Sequence, residues 1–174
     1  MLDRLRHPVL AIGFLLTLLV VPFDAGFAQQ RGPSTPEERT RVVEVARALE
    51  QSPLDKDNKK GREWALAWVI QVPDLTIKVC TDLLGPVAGS KKNYSSELIA
   101  QMIISSAAFA IEHPDKATND TAVSLAGVEG TLKAYEAILR EKPKARHEFL
   151  DELVQERAKG QLAGYVEDTM KKCK

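Results

Sequence analysis

An apolar residue recurs every three or four positions along most of the chain, and this period is that of an α-helix with one buried face. The pattern is clearest between residues 119 and 140, where the apolar stripe is Leu125, Val128, Leu132, Tyr135 and Leu139. The opposite stripe is Glu129, Lys133, Glu136 and Arg140, and its spacing predicts two acid–base pairs four residues apart. Glycine is unfavourable inside a helix, so Gly127 and Gly130 predict a second side that another helix approaches closely.

Five further stretches predict helices, most of them separated by proline or glycine. The first begins with a capping box, in which Thr35 caps, Pro36 takes the first helical position and Glu38 reaches back to the cap. The second runs through Trp64 and Trp68 to residue 72, and the third, from residue 93 or 95 to 111, is apolar nearly all round. The fifth and sixth follow residue 143, with apolar sets Ala145, Phe149, Leu150, Leu153 and Val154, and then Leu162, Val166, Met170 and Cys173.

Residues 75–80, Leu-Thr-Ile-Lys-Val-Cys, alternate between apolar and polar side chains as a strand does. The sequence offers no convincing second strand, and an isolated strand leaves its backbone groups unpaired. We therefore predict a kinked continuation of the second helix, or a short helix, that ends near Leu84.

The composition fits one globular domain. The chain has 174 residues, of which 44% are hydrophobic and 28% are charged, and its 24 basic residues balance 24 acidic ones. A chain of this length buries enough surface to form one core. Because there is no excess positive charge, nucleic acid is not predicted as a partner. The predicted fold is all-α: a compact bundle of about six helices with one disulfide and no cofactor.

The N-terminal residues have the pattern of a secretory signal peptide. Arg4 and Arg6 precede an apolar run over residues 9–21, which is too short to span a membrane. Gly26 and Ala28 supply the small residues before a cleavage site. We predict a cleaved signal peptide over residues 1–28, a flexible leader over 29–34 and the helical domain over 35–174. The mature chain is then secreted or periplasmic, without a membrane span; an uncleaved N-terminal anchor is the alternative.

Only two cysteines are present, Cys80 and Cys173. In an exported chain an even number of cysteines indicates pairing, so these two are predicted to form a disulfide between the middle and the end of the chain. A metal site is the alternative, but no further soft ligand lies near either cysteine.

One stretch has part of a metalloprotease motif. His147, Glu148 and Asp151 have the spacing of H-E-x-x-H, with aspartate in place of the second histidine. The predicted mature chain holds one other histidine, His113, so the preferred interpretation is the acidic first turn of a helix. The sequence therefore predicts no catalytic residue and no metal ligand.

Residues 133–139 are similar to the second helix of a tetratricopeptide repeat, with Tyr135, Ile138 and Pro143 at that repeat's spacing. The resemblance covers one helix, and no 34-residue period appears upstream. It implies that this helix packs in a helical hairpin, and it assigns the chain to no family.

Trp64 and Trp68 lie one helical turn apart and are candidate ligand-facing residues, although core packing is the more common role of such a pair. The leading functional hypothesis is a non-catalytic exported protein that binds a protein partner. One alternative is a hydrolase-type enzyme using dispersed carboxylates such as Glu112, Asp115 and Asp151. Another is a carrier that holds a small ligand against the tryptophan pair.

Overall fold

The structure, a computed structural model, describes residues 31–173. The predicted signal peptide and the first two residues of the leader lie outside these residues. The described chain forms six α-helices and one 3₁₀ helix, with no strand among its residues. The α-helices are α1 (Pro36–Gln51), α2 (Lys56–Gln71), α3 (Ser95–Glu112), α4 (Asp120–Glu141), α5 (Glu148–Ala158) and α6 (Leu162–Met170). The 3₁₀ helix covers Thr81–Val87 and is kinked at Gly85. The predicted all-α fold is confirmed.

Side-chain caps place the starts of three helices. The capping box of α1 is present: Thr35 Oγ1 accepts from the Glu38 N–H at 3.2 Å, and Glu38 Oε2 accepts from the Thr35 N–H at 3.1 Å. Asp55 caps α2 by accepting from the N–H groups of Asp57 and Asn58, and Asn119 caps α4 by accepting from the N–H of Ala122.

The buried helix α3 is the centre of the bundle, as its apolar sequence predicts. It packs against α1, α2 and α4, while α5 and α6 pack against α4 and the 3₁₀ helix. The predicted seam of α4 is buried at Val128, Leu132 and Tyr135 and half-buried at Leu125 and Leu139. No helix among the described residues combines the length and the apolar character that crossing a membrane requires.

The predicted disulfide joins Cys80 and Cys173, whose Cα atoms are 6.0 Å apart. Cys80 is buried at the start of the 3₁₀ helix, and Cys173 follows α6. The bond therefore fastens the last residues of the domain to its middle.

The prediction of a helix over residues 75–80 is wrong. Residues 75–80 form neither a helix nor a strand in the described chain, and Cys80 has an extended backbone. Leu75 and Ile77 pack on the cluster around Trp68, while Thr76 and Lys78 between them are exposed. The period of two therefore matches the side chains of residues 75–78, and the alternation ends at Val79, which is 45% exposed.

Two smaller predictions also need correction. Ala145 is buried but lies in the turn before α5, because Lys142 O accepts from the Ala145 N–H at 2.9 Å and closes a turn there. The helix begins only at Glu148. On α4 the charged stripe pairs with other helices: Lys133 with Glu50 of α1 at 3.2 Å, and Glu136 with Arg157 of α5 at 2.6 Å.

Candidate functional site

The candidate site is a recess between α1 and α2 that contains both tryptophans. We call it the tryptophan corner and define it by the six residues that line it. The recess has a volume of about 240 Å³ and is lined by Arg31, Glu38, Trp64, Ala67, Trp68 and Gln71. The helical spacing of α2 places four of these residues on one side of that helix.

The two tryptophans have different environments. Trp68 is 3% exposed and packs with Val42 and Val72, so it belongs to the core as the more common interpretation of the pair predicts. Trp64 is half-buried, and its ring centroid lies 6.4 Å from that of Trp68. The pair therefore presents aromatic surface to the recess while one ring is held rigidly by the core.

Each indole ring has a guanidinium over it. The guanidinium carbon of Arg41 lies 4.0 Å from the Trp64 ring centroid, and that of Arg31 lies 5.5 Å from the Trp68 centroid. Both distances are within the range of a cation–π interaction. Arg31 also forms an ion pair with the carboxylate of Glu38. The corner thus holds a cation between an aromatic face and a carboxylate.

Glu38 is fixed by groups around it as well as by Arg31. The backbone N–H of Thr35, followed by the indole N–H of Trp68 and the charge of Arg31, lowers the pKa of Glu38 below its ordinary value. No described residue completes a hydrogen bond of normal geometry to Trp68 Nε1. The ionised Glu38 carboxylate beside this buried N–H group offsets part of the free energy that the N–H loses when it is removed from water.

The segment before α1 is tied to the turn after α2. Asp74 accepts from the backbone N–H of Ser34 at 2.9 Å, from its hydroxyl at 2.8 Å and from Arg39 at 3.0 Å. These bonds lower the pKa of Asp74 to about 2, the Ser34 backbone N–H having the largest effect. Ser34 is therefore anchored three residues after Arg31, at the edge of the corner.

The outer face of α2 continues the corner as exposed apolar surface. Ile70 is 75% exposed and lies one turn from Ala67 on the same side of the helix. A single exposed aliphatic residue is ordinary on a protein surface. Ile70 differs in lying between Ala67 and Gln71 along the chain, both of which line the recess.

The histidine of the partial metalloprotease motif is held by other contacts. Nε2 of His147 lies 3.0 Å from the carbonyl oxygen of Asn93, and since a carbonyl only accepts, Nε2 carries the proton. Asp151 accepts from the hydroxyl of Tyr135 at 2.9 Å and from Arg146 Nε at 3.0 Å. Within residues 31–173 no three His, Cys, Asp or Glu side chains form a metal-ligand cluster.

Ser95 lies 3.4 Å from His147 Nε2, a contact that sequence reasoning missed. It does not form a nucleophile and its base, because Nε2 is a donor and the Ser95 hydroxyl donates to the carbonyl of Lys92 at 2.7 Å. Tyr135 is fully buried, and desolvation, the main cause, raises its pKa to about 12. This cluster joins the loop before α3 to the start of α5.

The three dispersed carboxylates have separate surroundings. Glu112 pairs with Arg47 at 2.6 Å, Asp151 pairs with Arg146, and Asp115 is exposed in the turn after α3. No ion pair or hydrogen bond among the described residues links any two of them. Nothing in this arrangement supports a shared proton-transfer site.

Comparison of the chain with protein-family models, with curated proteins and with solved structures finds no significant match in any of the three.

Proposed function

We propose that this protein is exported and binds a protein partner, without catalysis, through the tryptophan corner and the adjoining Ile70. The observation that carries the proposal is the 75% exposure of Ile70 on the helix that supplies Ala67 and Gln71 to the corner and whose two tryptophans each have a guanidinium over the ring. Tryptophan and arginine are enriched among the residues that contribute most of the binding free energy at protein interfaces. An exposed aliphatic side chain such as Ile70 also favours binding, because a partner that covers it removes apolar surface from water. The partner we propose is a chain that covers Ile70 with apolar side chains.

Export is supported by the N-terminal pattern and by the disulfide, since disulfides persist in oxidising compartments. The prediction is that mass spectrometry of the mature protein finds Gln29 as its first residue. An intact N-terminus retained in the membrane fraction would show that the predicted cleavage is wrong.

The binding face is tested by competition. A photoreactive amino acid at position 70 of the full mature chain should give one cross-linked product in the native envelope fraction. Unlabelled wild-type protein should suppress that product, and Ile70→Lys should not. Val79→Lys is the matched control, because Val79 is the other large exposed apolar residue within residues 31–173, 45% exposed, and lies outside the corner.

Equal competition by Ile70→Lys and wild type would contradict the binding face. The enzyme alternative predicts a different result: turnover of a peptide, glycan or phosphoester that Glu112→Gln, Asp115→Asn or Asp151→Asn abolishes while the fold is retained. Such a result would show that the protein is an enzyme and would contradict the proposed non-catalytic function.

A further inference from the structure

We infer that Trp68 and Glu38 form a guanidinium site, occupied in this structure by Arg31, that accepts an arginine side chain of the partner. The inference rests on the proposed function, because it names the group that the same corner recognises. It starts from the arrangement already described, in which one guanidinium contacts both an indole face and a carboxylate.

The receiving groups are held in place without Arg31. Trp68 is fixed by its core packing with Val42, Val72 and Ala107, none of which depends on Arg31. Glu38 is fixed by the capping box of α1, whose hydrogen bond joins Glu38 Oε2 to the Thr35 N–H. The site is therefore already shaped when a new cation arrives, and little ordering is required on binding.

Arg31 itself can leave without disturbing the helices. The next tether along the chain is Ser34, which Asp74 holds. Between the two residues lie Gly32 and Pro33, both exposed, and a Cβ added to Gly32 would meet nothing within 4 Å. Arg31 therefore acts as a tethered competitor: its own guanidinium occupies the site until the guanidinium of an arginine from another chain displaces it.

The chemistry favours guanidinium over other groups. A planar guanidinium stacks on an indole ring and donates to a carboxylate at the same time, whereas an ammonium is a compact, strongly hydrated charge. An acidic ligand would have to separate Arg31 from Glu38 and leave that carboxylate beside a new negative charge. The corner thus selects a cation, with arginine preferred over lysine.

The test uses fluorescence, because the chain's two tryptophans both line the corner. Blocked arginine (N-acetyl-arginine amide) is titrated into the full mature protein. Blocked citrulline has nearly the same shape without the charge and serves as the ligand control. Blocked lysine and blocked aspartate test the other charge classes. We expect saturable quenching with arginine, weaker binding of lysine, and none with citrulline or aspartate.

Three variants locate the site. Arg31→Ala removes the tethered competitor and should bind arginine several-fold more tightly. Glu38→Gln keeps a capping-box residue while losing the charge, and should weaken binding by about tenfold or more. Glu37→Gln is the control, because Glu37 lies on the same turn, is exposed and does not line the corner. Circular dichroism of each variant checks that α1 is retained.

The inference is overturned if citrulline or aspartate binds as well as arginine, if Arg31→Ala shows no arginine binding, or if Glu38→Gln binds unchanged. Its failure differs from failure of the proposed function. Loss of arginine binding together with intact competition through Ile70 removes only the guanidinium site. Arginine binding together with equal competition by Ile70→Lys removes only the protein-binding face.

Discussion

Gly127 and Gly130 show how single residues set the distance between the two central helices. A Cβ built on Gly127 would overlap the hydroxyl of Ser106 and lie 2.8 Å from the carbonyl oxygen of Met102. One built on Gly130 would overlap Ser105, whose Cβ would be 2.5 Å away. The predicted close approach of another helix is therefore confirmed, and that helix is α3. Each glycine destabilises α4 by about 0.8–1 kcal/mol relative to alanine, and the close packing of α3 on α4 requires it at these positions.

Gly130→Ala should lower the free energy of unfolding by about 1–3 kcal/mol, because overpacking outweighs the better helix propensity of alanine. Gly164→Ala on α6 is the matched control, since a Cβ there meets nothing within 4 Å. That substitution should leave stability unchanged or raise it by up to about 1 kcal/mol. Urea denaturation of both variants measures the difference, and a stabilised Gly130→Ala would contradict the packing described for α3 and α4.

Asp74→Asn should change how stability depends on pH. The folded pKa of Asp74, about 2, lies below its ordinary value of 3.8, so ionised Asp74 favours the folded state. This stabilisation is fully present above pH 3.8 and is lost as the pH falls through about 2. Wild type should therefore be more stable than Asp74→Asn at neutral pH. The difference in stability between the two proteins should shrink as the pH falls below 4. Denaturation midpoints at several pH values test this, with Asp115→Asn, in an exposed turn, as the control.

At the scale of the elements, the sequence predicts helices well wherever a local cap and a long apolar stripe agree. Thr35 caps α1 as the capping box predicts, because a cap depends on neighbours within three residues. Residues 75–80 are mispredicted because their conformation depends on the distant cluster of Trp68 and on the disulfide partner of Cys80. The start of α5 is later than the sequence predicts for a similar reason: the His147 N–H donates to the hydroxyl of Tyr135, twelve residues away.

Leu132→Ala tests the seam of α4. Leu132 is 0% exposed in the main apolar cluster, so its truncation leaves a cavity and should cost about 2–5 kcal/mol of unfolding free energy. Glu129→Ala is the control, because Glu129 is exposed on the same helix and its removal should change stability by about 0.5 kcal/mol or less. Thermal or urea unfolding gives both values. If Leu132→Ala lost less unfolding free energy than Glu129→Ala, the apolar seam of α4 would not form the core.

At the scale of the whole molecule, the candidate site combines residues from separate parts of the chain. The spacing of residues along one helix cannot predict such a combination. The spacing of Trp64 and Trp68 singles out the pair because both lie on one helix. Arg31 and Glu38 come from a different part of the chain, and their approach to Trp68 follows from how α1 packs on α2. No local signal joins them, so sequence reasoning found the aromatic half of the site and missed its charged half.

The disulfide acts on the whole molecule, because it closes a loop of 93 residues between the centre of the chain and its end. In the chain-entropy model a loop of this length restricts the unfolded state by about 4–5 kcal/mol. Replacing both cysteines by serine should therefore lower the melting temperature markedly while leaving the helical circular dichroism largely unchanged, since α3 and α4 pack without the bond. The double variant should be insensitive to a reductant, and wild type should lose stability in it. Melting curves of wild type that coincide with and without reductant would show that the bond does not stabilise the fold.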